Sequence, residues 1–177
     1  MEKAIKVGWI GTGVMGKSMA GHLLTNGYQL SIYTRTKAKG DELISRGAQW
    51  QNIQEIASQS DFLFLMLGYP HDVEDVVFNN ATGVLNHMKA GSVLIDHTTS
   101  SPGQAMRIFE EASKRSVHFI DAPVSGGDIG ARSGKLVTMA GGDSEALEKA
   151  MSLLKCYSAE VQHMGPAGAG QQTKACN

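Results

Sequence analysis

The chain has 177 residues, 42% hydrophobic and 19% charged, enough for one packed core and too apolar for wholesale disorder. Sixteen Lys and Arg against seventeen Asp and Glu leave a net charge of -1, which argues against nucleic-acid binding by bulk charge. Two cysteines without CxxC spacing, scattered histidines and no apolar run longer than Phe62–Leu67 argue against a disulfide framework, a metal site and a membrane span, so a cytoplasmic protein is expected.

Short apolar runs alternate with amphipathic segments. A strand is predicted over Ile5–Ile10, then a glycine turn and a helix over Met15–Thr25, stopped by Asn26-Gly27. A strand over Tyr28–Tyr33 follows, then a helix over Lys37–Arg46 ended by Gly47, and a short strand over Ala48–Trp50. Asn52 and Glu55 form a capping-box pattern for a helix over Ile53–Ser58. Phe62–Leu67 reads as a strand buried on both faces, and Pro70 suits the first turn of a helix through Val77.

Beyond these come a strand over Ser92–Asp96, a helix from Ser101-Pro102 to Lys114 and a strand over Val117–Ile120. After a glycine-rich stretch, a strand over Leu136–Ala140, a helix over Ser144–Leu154 and a strand over Ala159–His163 complete the alternation. The order implies an α/β fold, a Rossmann-type doubly wound and mostly parallel sheet, over residues 1–164. Residues 165–177 read as a hinge, Gly165–Gly170, and the start of a helix that would continue beyond the chain.

Gly11-Thr12-Gly13-Val14-Met15-Gly16 fits G-x-G-x-x-G after a strand and at the start of a helix, the context in which that pattern signals a dinucleotide site. Gly11 permits a tight turn, Gly13 lets backbone approach a pyrophosphate, and Gly16 lets helix and strand pack closely. The helix N-terminus offers unpaired N–H groups and a positive dipole end to the phosphates. At the end of the second strand, where NAD sites carry an acid for the ribose, stand Thr34-Arg35-Thr36-Lys37. Arg35 is suited to clamp a 2'-phosphate, so NADP is the preferred cofactor and NAD the alternative; otherwise Arg35 is a solvated surface charge.

Four stretches carry a more specific signal: Gly11–Gly16; Asp121-Ala122-Pro123-Val124-Ser125-Gly126-Gly127; Gly130-Ala131 with Gly134-Lys135-Leu136; and Gly168-Ala169-Gly170-Gln171-Gln172-Thr173-Lys174. In this order, over essentially the whole chain, they resemble the β-hydroxyacid dehydrogenase family. That family includes 3-hydroxyisobutyrate dehydrogenase, tartronate semialdehyde reductase and the glyoxylate/succinic semialdehyde reductases. The resemblance implies hydride transfer between a nicotinamide and a small 3-hydroxy acid or semialdehyde.

It further implies that Ser125, Gly126 and Gly127 hold the substrate carboxylate, although from spacing alone they are equally a tight turn. Lys174 matches the catalytic lysine, a proton donor to the carbonyl oxygen or acceptor in reverse. A free lysine titrates at about 10.4, so this role calls for burial or a cationic neighbour. Met66 and Leu67, at a strand's carboxyl end, match cofactor contacts. Thr98 and Thr99 lie on the nicotinamide side, where their hydroxyls either bond the cofactor or cap the helix begun at Pro102. His97 is given no role, having no evident partner.

The family continues for about another hundred residues as a helical domain, with a homo-oligomer expected of the full-length protein. An asparagine one turn after the lysine binds substrate in the family, and Asn177 is its weak counterpart here. Gly68-Tyr69-Pro70 departs from the usual proline directly after Met66-Leu67, on the adenosine side. Without the helical domain the chain is expected to bind NADP(H) but to turn over weakly. The competing readings are a non-catalytic NADPH-binding or scaffolding module and a 6-phosphogluconate dehydrogenase relative.

Overall fold

A computed structural model describes residues 3–177. The first half runs β1 (Lys6–Ile10), α1 (Val14–Thr25), β2 (Gln29–Tyr33), α2 (Asp41–Ser45), β3 (Gln49–Trp50), α3 (Ile53–Gln59), β4 (Phe62–Leu65) and α4 (Pro70–Phe78). The second runs β5 (Val93–Asp96), α5 (Pro102–Ser113), β6 (His118–Asp121), β7 (Val124–Ser125), α6 (Gly127–Ser133), β8 (Leu136–Gly142), α7 (Ser144–Leu154), β9 (Ser158–Gly165) and α8 (Ala169–Cys176).

Among the described residues the strands form one sheet in the order β3-β2-β1-β4-β5-β6-β8-β7, with β9 on β8. The pairings from β3 through β6 are all parallel, β8 runs antiparallel to β6 and β7, and β9 is parallel to β8. The doubly wound, mostly parallel α/β architecture expected from the alternation is therefore present. The strand order reverses direction at β1, and in such sheets the crevice beyond the carboxyl ends at that point is where ligands bind.

Alternation along the central strands divides the core. Trp9, Phe62 and Phe64 join Leu23, Leu153 and Tyr157 on one face. Ile10, Leu63 and Leu65 join Ile56, Val73, Ile108 and Phe119 on the other. A strand buried on both faces carries no polar residue at either phase, which is why Phe62-Leu63-Phe64-Leu65 is continuously apolar.

Local signals set several helix starts. Asn52 and Glu55 form the capping box, with Glu55 N–H on Asn52 Oδ1 at 2.9 Å and Asn52 N–H on Glu55 Oε2 at 3.1 Å. Ser101 caps α5 through the Gln104 N–H at 3.1 Å. Among the described residues no helix is long and apolar enough to cross a membrane.

Two boundaries differ from expectation. The helix read over Lys37–Arg46 is a 3-10 turn, Lys37–Gly40, followed by α2; at the junction Gly40, with φ of -97° and ψ of -7°, packs against Ile32, whose Cδ1 would stand 2.8 Å from a β-carbon there. The strand read to Leu67 stops at Leu65, since the Leu67 N–H turns out of the sheet to Thr98 Oγ1 at 2.9 Å. Between β9, which ends at Gly165, and α8, which begins at Ala169, Gly168 N–H donates to Asp121 Oδ1 at 2.8 Å.

Candidate functional site

The glycine loop joins β1 to α1 between β2 and β4. Gly11 has φ of 102°, and a β-carbon on it would stand 2.1 Å from the Met66 carbonyl oxygen. A β-carbon on Gly16 would stand 2.0 Å from the Gly11 carbonyl oxygen, so helix and loop touch there backbone to backbone. Trp9 Nε1 donates to that same Gly11 oxygen at 2.9 Å and ties the loop to the core. Thr12, buried, donates from Oγ1 to the Lys39 carbonyl at 3.2 Å.

Gly13 is the opposite case. A β-carbon on it would meet no protein atom, yet the residue lines an open crevice. Gly13 is also the N-cap of α1, where no side chain among the described residues accepts a first-turn N–H and no acid occupies the first turn. Backbone donors and the positive end of the helix dipole are thus left for a ligand. That combination fits a diphosphate.

The crevice has a volume of about 740 Å3, within the usual range for ligand sites, and is walled by all six loop residues with Thr34, Arg35, Thr36, Met66 and Leu67. Each of these is a cofactor residue expected from the sequence. Asp72 of α4, whose Oδ1 accepts from Arg35 Nη2 at 3.0 Å, is not among those expected. Its signal was its place in the first turn after Tyr69-Pro70, where a carboxylate reaches back to the free Tyr69 N–H, at 3.1 Å from Oδ2. Tyr69, the family departure, stacks on His71 at 5.4 Å between ring centroids, beside the same crevice.

Thr98, Thr99, Ser125, Gly126, Gly127, Lys174 and Asn177 lie outside that crevice wall. Neither threonine caps α5, a job done by Ser101. Thr98 is buried and its Oγ1 accepts the Leu67 N–H of the β4–α4 turn, while Thr99 is exposed. Ser125 ends β7, and Gly126 and Gly127 have φ of 131° and 60°, so the chain enters α6 through a turn suited to glycine. Lys174 is half-buried on α8. At the end of α8, Asn177 Nδ2 approaches Met139 Sδ at 3.9 Å, while Met139 N–H donates to the Pro123 carbonyl at 3.0 Å. Strand β8 therefore links the end of α8 to the segment leading into Ser125.

The ends of β5 and β6 bring Asp96 and Asp121 into register. Desolvation raises the Asp96 carboxyl to about 7, against hydrogen bonds from Thr98 that favour the charged form, and the Asp121 charge adds to the rise. Asp121 is also raised by desolvation, opposed by backbone hydrogen bonds. Its two oxygens accept from Gly168 and Gln171 N–H at 2.8 and 2.9 Å. The Gln171 side chain completes the anchor, donating to the Thr98 carbonyl at 2.8 Å and accepting the Ser100 N–H at 2.9 Å.

His97 does have partners. Its Nδ1 lies 2.6 Å from the Ala122 carbonyl and must donate, which leaves Nε2 to accept from the Tyr157 hydroxyl at 2.7 Å. Burial lowers its pKa to about 4, so it is a neutral core residue stacked near Trp9 and Phe64.

Residues 6–165 match the family described as the NAD binding domain of 6-phosphogluconate dehydrogenase. The chain is 46% identical to an uncharacterized oxidoreductase, YkwC, of Bacillus subtilis (strain 168), over all of this chain and 61% of that protein. It is 45% identical to a probable 3-hydroxyisobutyrate dehydrogenase-like protein of Arabidopsis thaliana, over 97% of this chain and 52% of that protein. A solved structure of Psf3 in complex with NADP+ and 2-OPP superposes with a TM-score of 0.93 at 29% identity, over 97% of this chain and 61% of that one. The chain thus spans between about half and three-fifths of the relatives it matches. It belongs to the family described as the NAD binding domain of 6-phosphogluconate dehydrogenase, and its relatives include 3-hydroxyisobutyrate dehydrogenase-like proteins.

Proposed function

We propose that this chain is the cofactor-binding part of an NADP(H)-dependent oxidoreductase acting on a small 3-hydroxy acid or its semialdehyde. The observation that carries the reading is the glycine loop. Its close backbone packing at Gly11 and Gly16, its open side at Gly13 and its uncapped helix together make a cradle for a diphosphate. When bound, the nicotinamide supplies or accepts the hydride.

In this reading Val14, Met15 and Gly16 offer main-chain N–H groups to the diphosphate, while Met66 and Leu67, beside Gly11, contact the cofactor. Arg35, flanked by Thr34 and Thr36, binds the 2'-phosphate. Support comes from the lack of an acid at residues 34–37 and from the solved relative that carries NADP+. Ser125, Gly126 and Gly127 hold the substrate carboxylate, and Asn177, just past the end of α8, is a further substrate contact. Lys174 donates a proton from Nζ to the carbonyl oxygen during reduction and takes it back from the hydroxyl during oxidation. Asp121 and Gln171 act on Lys174 only through the position of α8. The part of the reading beyond the crevice rests on the resemblance of the Asp121–Gly127 and Gly168–Lys174 motifs.

Titrating the chain with NADPH and NADH side by side tests the cofactor. Tighter NADPH binding that Arg35→Ala abolishes is the expected result, and tighter NADH binding would contradict it. For the chemistry, Lys174→Ala in the full-length protein is expected to remove at least about a hundredfold of kcat. Intact turnover would leave only a nucleotide-binding or scaffolding module.

A further inference from the structure

We propose that Asp72 is a specificity-determining residue, which limits the preference of the crevice for a dinucleotide bearing a 2'-phosphate by holding the Arg35 guanidinium. The inference rests on the reading of Arg35 given above and deepens it.

Strands β2 and β4 are the two neighbours of β1, so the segments that follow them flank the glycine loop on either side. Arg35 comes from the first segment and Asp72 from the second, and their 3.0 Å ion pair spans the crevice between them. The two ends of the pair differ in freedom. The Asp72 side chain is 11% exposed, and its other oxygen is held by the Tyr69 N–H at 3.1 Å in the first turn of α4. The Arg35 side chain is 81% exposed and is the end that can move.

Charge points the same way. Arg35 and Lys39 line the crevice, but so do Asp72 and Asp75, with His71 beside them. This is a balanced rim rather than a basic bowl. A 2'-phosphate brings a charge of about -1.5 to -2 and must take Arg35 from Asp72, or share it while standing close to a fixed carboxylate. A dinucleotide with a plain 2'-hydroxyl meets no such competition, and its hydroxyl can donate to a carboxylate.

The test is a titration of the chain, and of its Asp72→Asn, Arg35→Ala and doubly substituted forms, with NADPH and NADH. Asparagine retains an acceptor oxygen for the Tyr69 N–H while removing the charge, and thermal melting of each form verifies folding. Asp72→Asn is expected to tighten NADPH binding about three- to tenfold, with NADH unchanged within twofold or weakened. In the Arg35→Ala background the same substitution is expected to move the ratio by a smaller factor than in the parent, because only the direct effect of the carboxylate on the 2' position remains. An unchanged ratio in Asp72→Asn, equal tightening of both nucleotides, or an equal shift in both backgrounds would overturn the proposal. Failure of the Arg35 reading itself shows separately, as a preference that Arg35→Ala leaves in place. If Asp72→Asn proves unfolded, Asp72→Ser, which also keeps a short acceptor, is put to the same criteria.

Discussion

Asp121 Oδ2 accepts the Gln171 N–H at 2.9 Å, and through this bond the helix that carries Lys174 starts directly on the end of a core strand. The second oxygen takes Gly168, and the close approach leaves no room for a side chain at residue 170, where a β-carbon would stand 2.4 Å from the Met139 carbonyl. Position along α8 is thereby set by a buried carboxylate rather than by the helix's own propensity, which for eight residues is small.

Asp121→Ala removes both acceptors and leaves two N–H groups buried beside a void. A loss of about 2 kcal/mol is expected, with α8 fraying before the sheet melts. Hydrogen exchange across residues 166–177 checks it, and protection as high as in the parent chain would show that α8 is held by other means.

Substitutions at Gly16 and Gly13 should separate folding from binding. Gly16→Ala forces a β-carbon against the Gly11 carbonyl, at an expected cost of about 2 kcal/mol or more together with loss of nucleotide binding. Gly13→Ala, at φ of -70° and ψ of -164° and facing open space, should cost no more than about 1 kcal/mol. Its nucleotide affinity should still fall about tenfold or more, because the methyl occupies the path of the diphosphate. Melting curves and nucleotide titrations of the two variants provide the comparison.

The buried neighbours Asp96 and His97 act oppositely on pH stability. Asp96 has a folded pKa of about 7 against 3.8 unfolded, so its contribution is complete below 3.8 and is lost as pH rises through 7. His97 has a folded pKa of about 4 against 6.5, so its contribution is complete above 6.5 and is lost as pH falls through 4. Between these limits the two slopes largely cancel. Asp96→Asn, which keeps an acceptor for the Thr98 N–H, should unmask the histidine: stability falls by about 3 kcal/mol from pH 6.5 to 4 relative to the parent's trend. Denaturant titrations at four or five pH values read this out, and parallel curves for variant and parent would refute it.

Tyr157→Phe deletes the hydroxyl hydrogen directed at His97 Nε2. A loss of about 1–3 kcal/mol is expected, because the acceptor stays buried without a donor. Equal stability in urea melts would mean that the hydroxyl contributes nothing.

Much of this architecture was legible in the residues. Continuous apolar runs gave the central strands, Asn52 with Glu55 and Pro70 after Tyr69 gave helix starts, and the glycine spacing located the loop. What escaped was tertiary. β7 is two residues long, and α6 carries glycines at 127 and 130, so neither has a local signature that survives averaging over propensities. Asp121 reaches residues far downstream, and Arg35 meets Asp72 only because β2 and β4 flank β1. Sequence offered threonines at 98 and 99 as cap or cofactor ligand; the cap is Ser101, and Thr98 Oγ1 accepts the Leu67 N–H.

A crystal structure of the chain grown with NADPH tests the central claim most directly. The account predicts the diphosphate within hydrogen-bonding distance of the main-chain N–H groups at the start of α1, with the 2'-phosphate on Arg35. A dinucleotide bound elsewhere, or a glycine loop left empty at saturating NADPH, would contradict it.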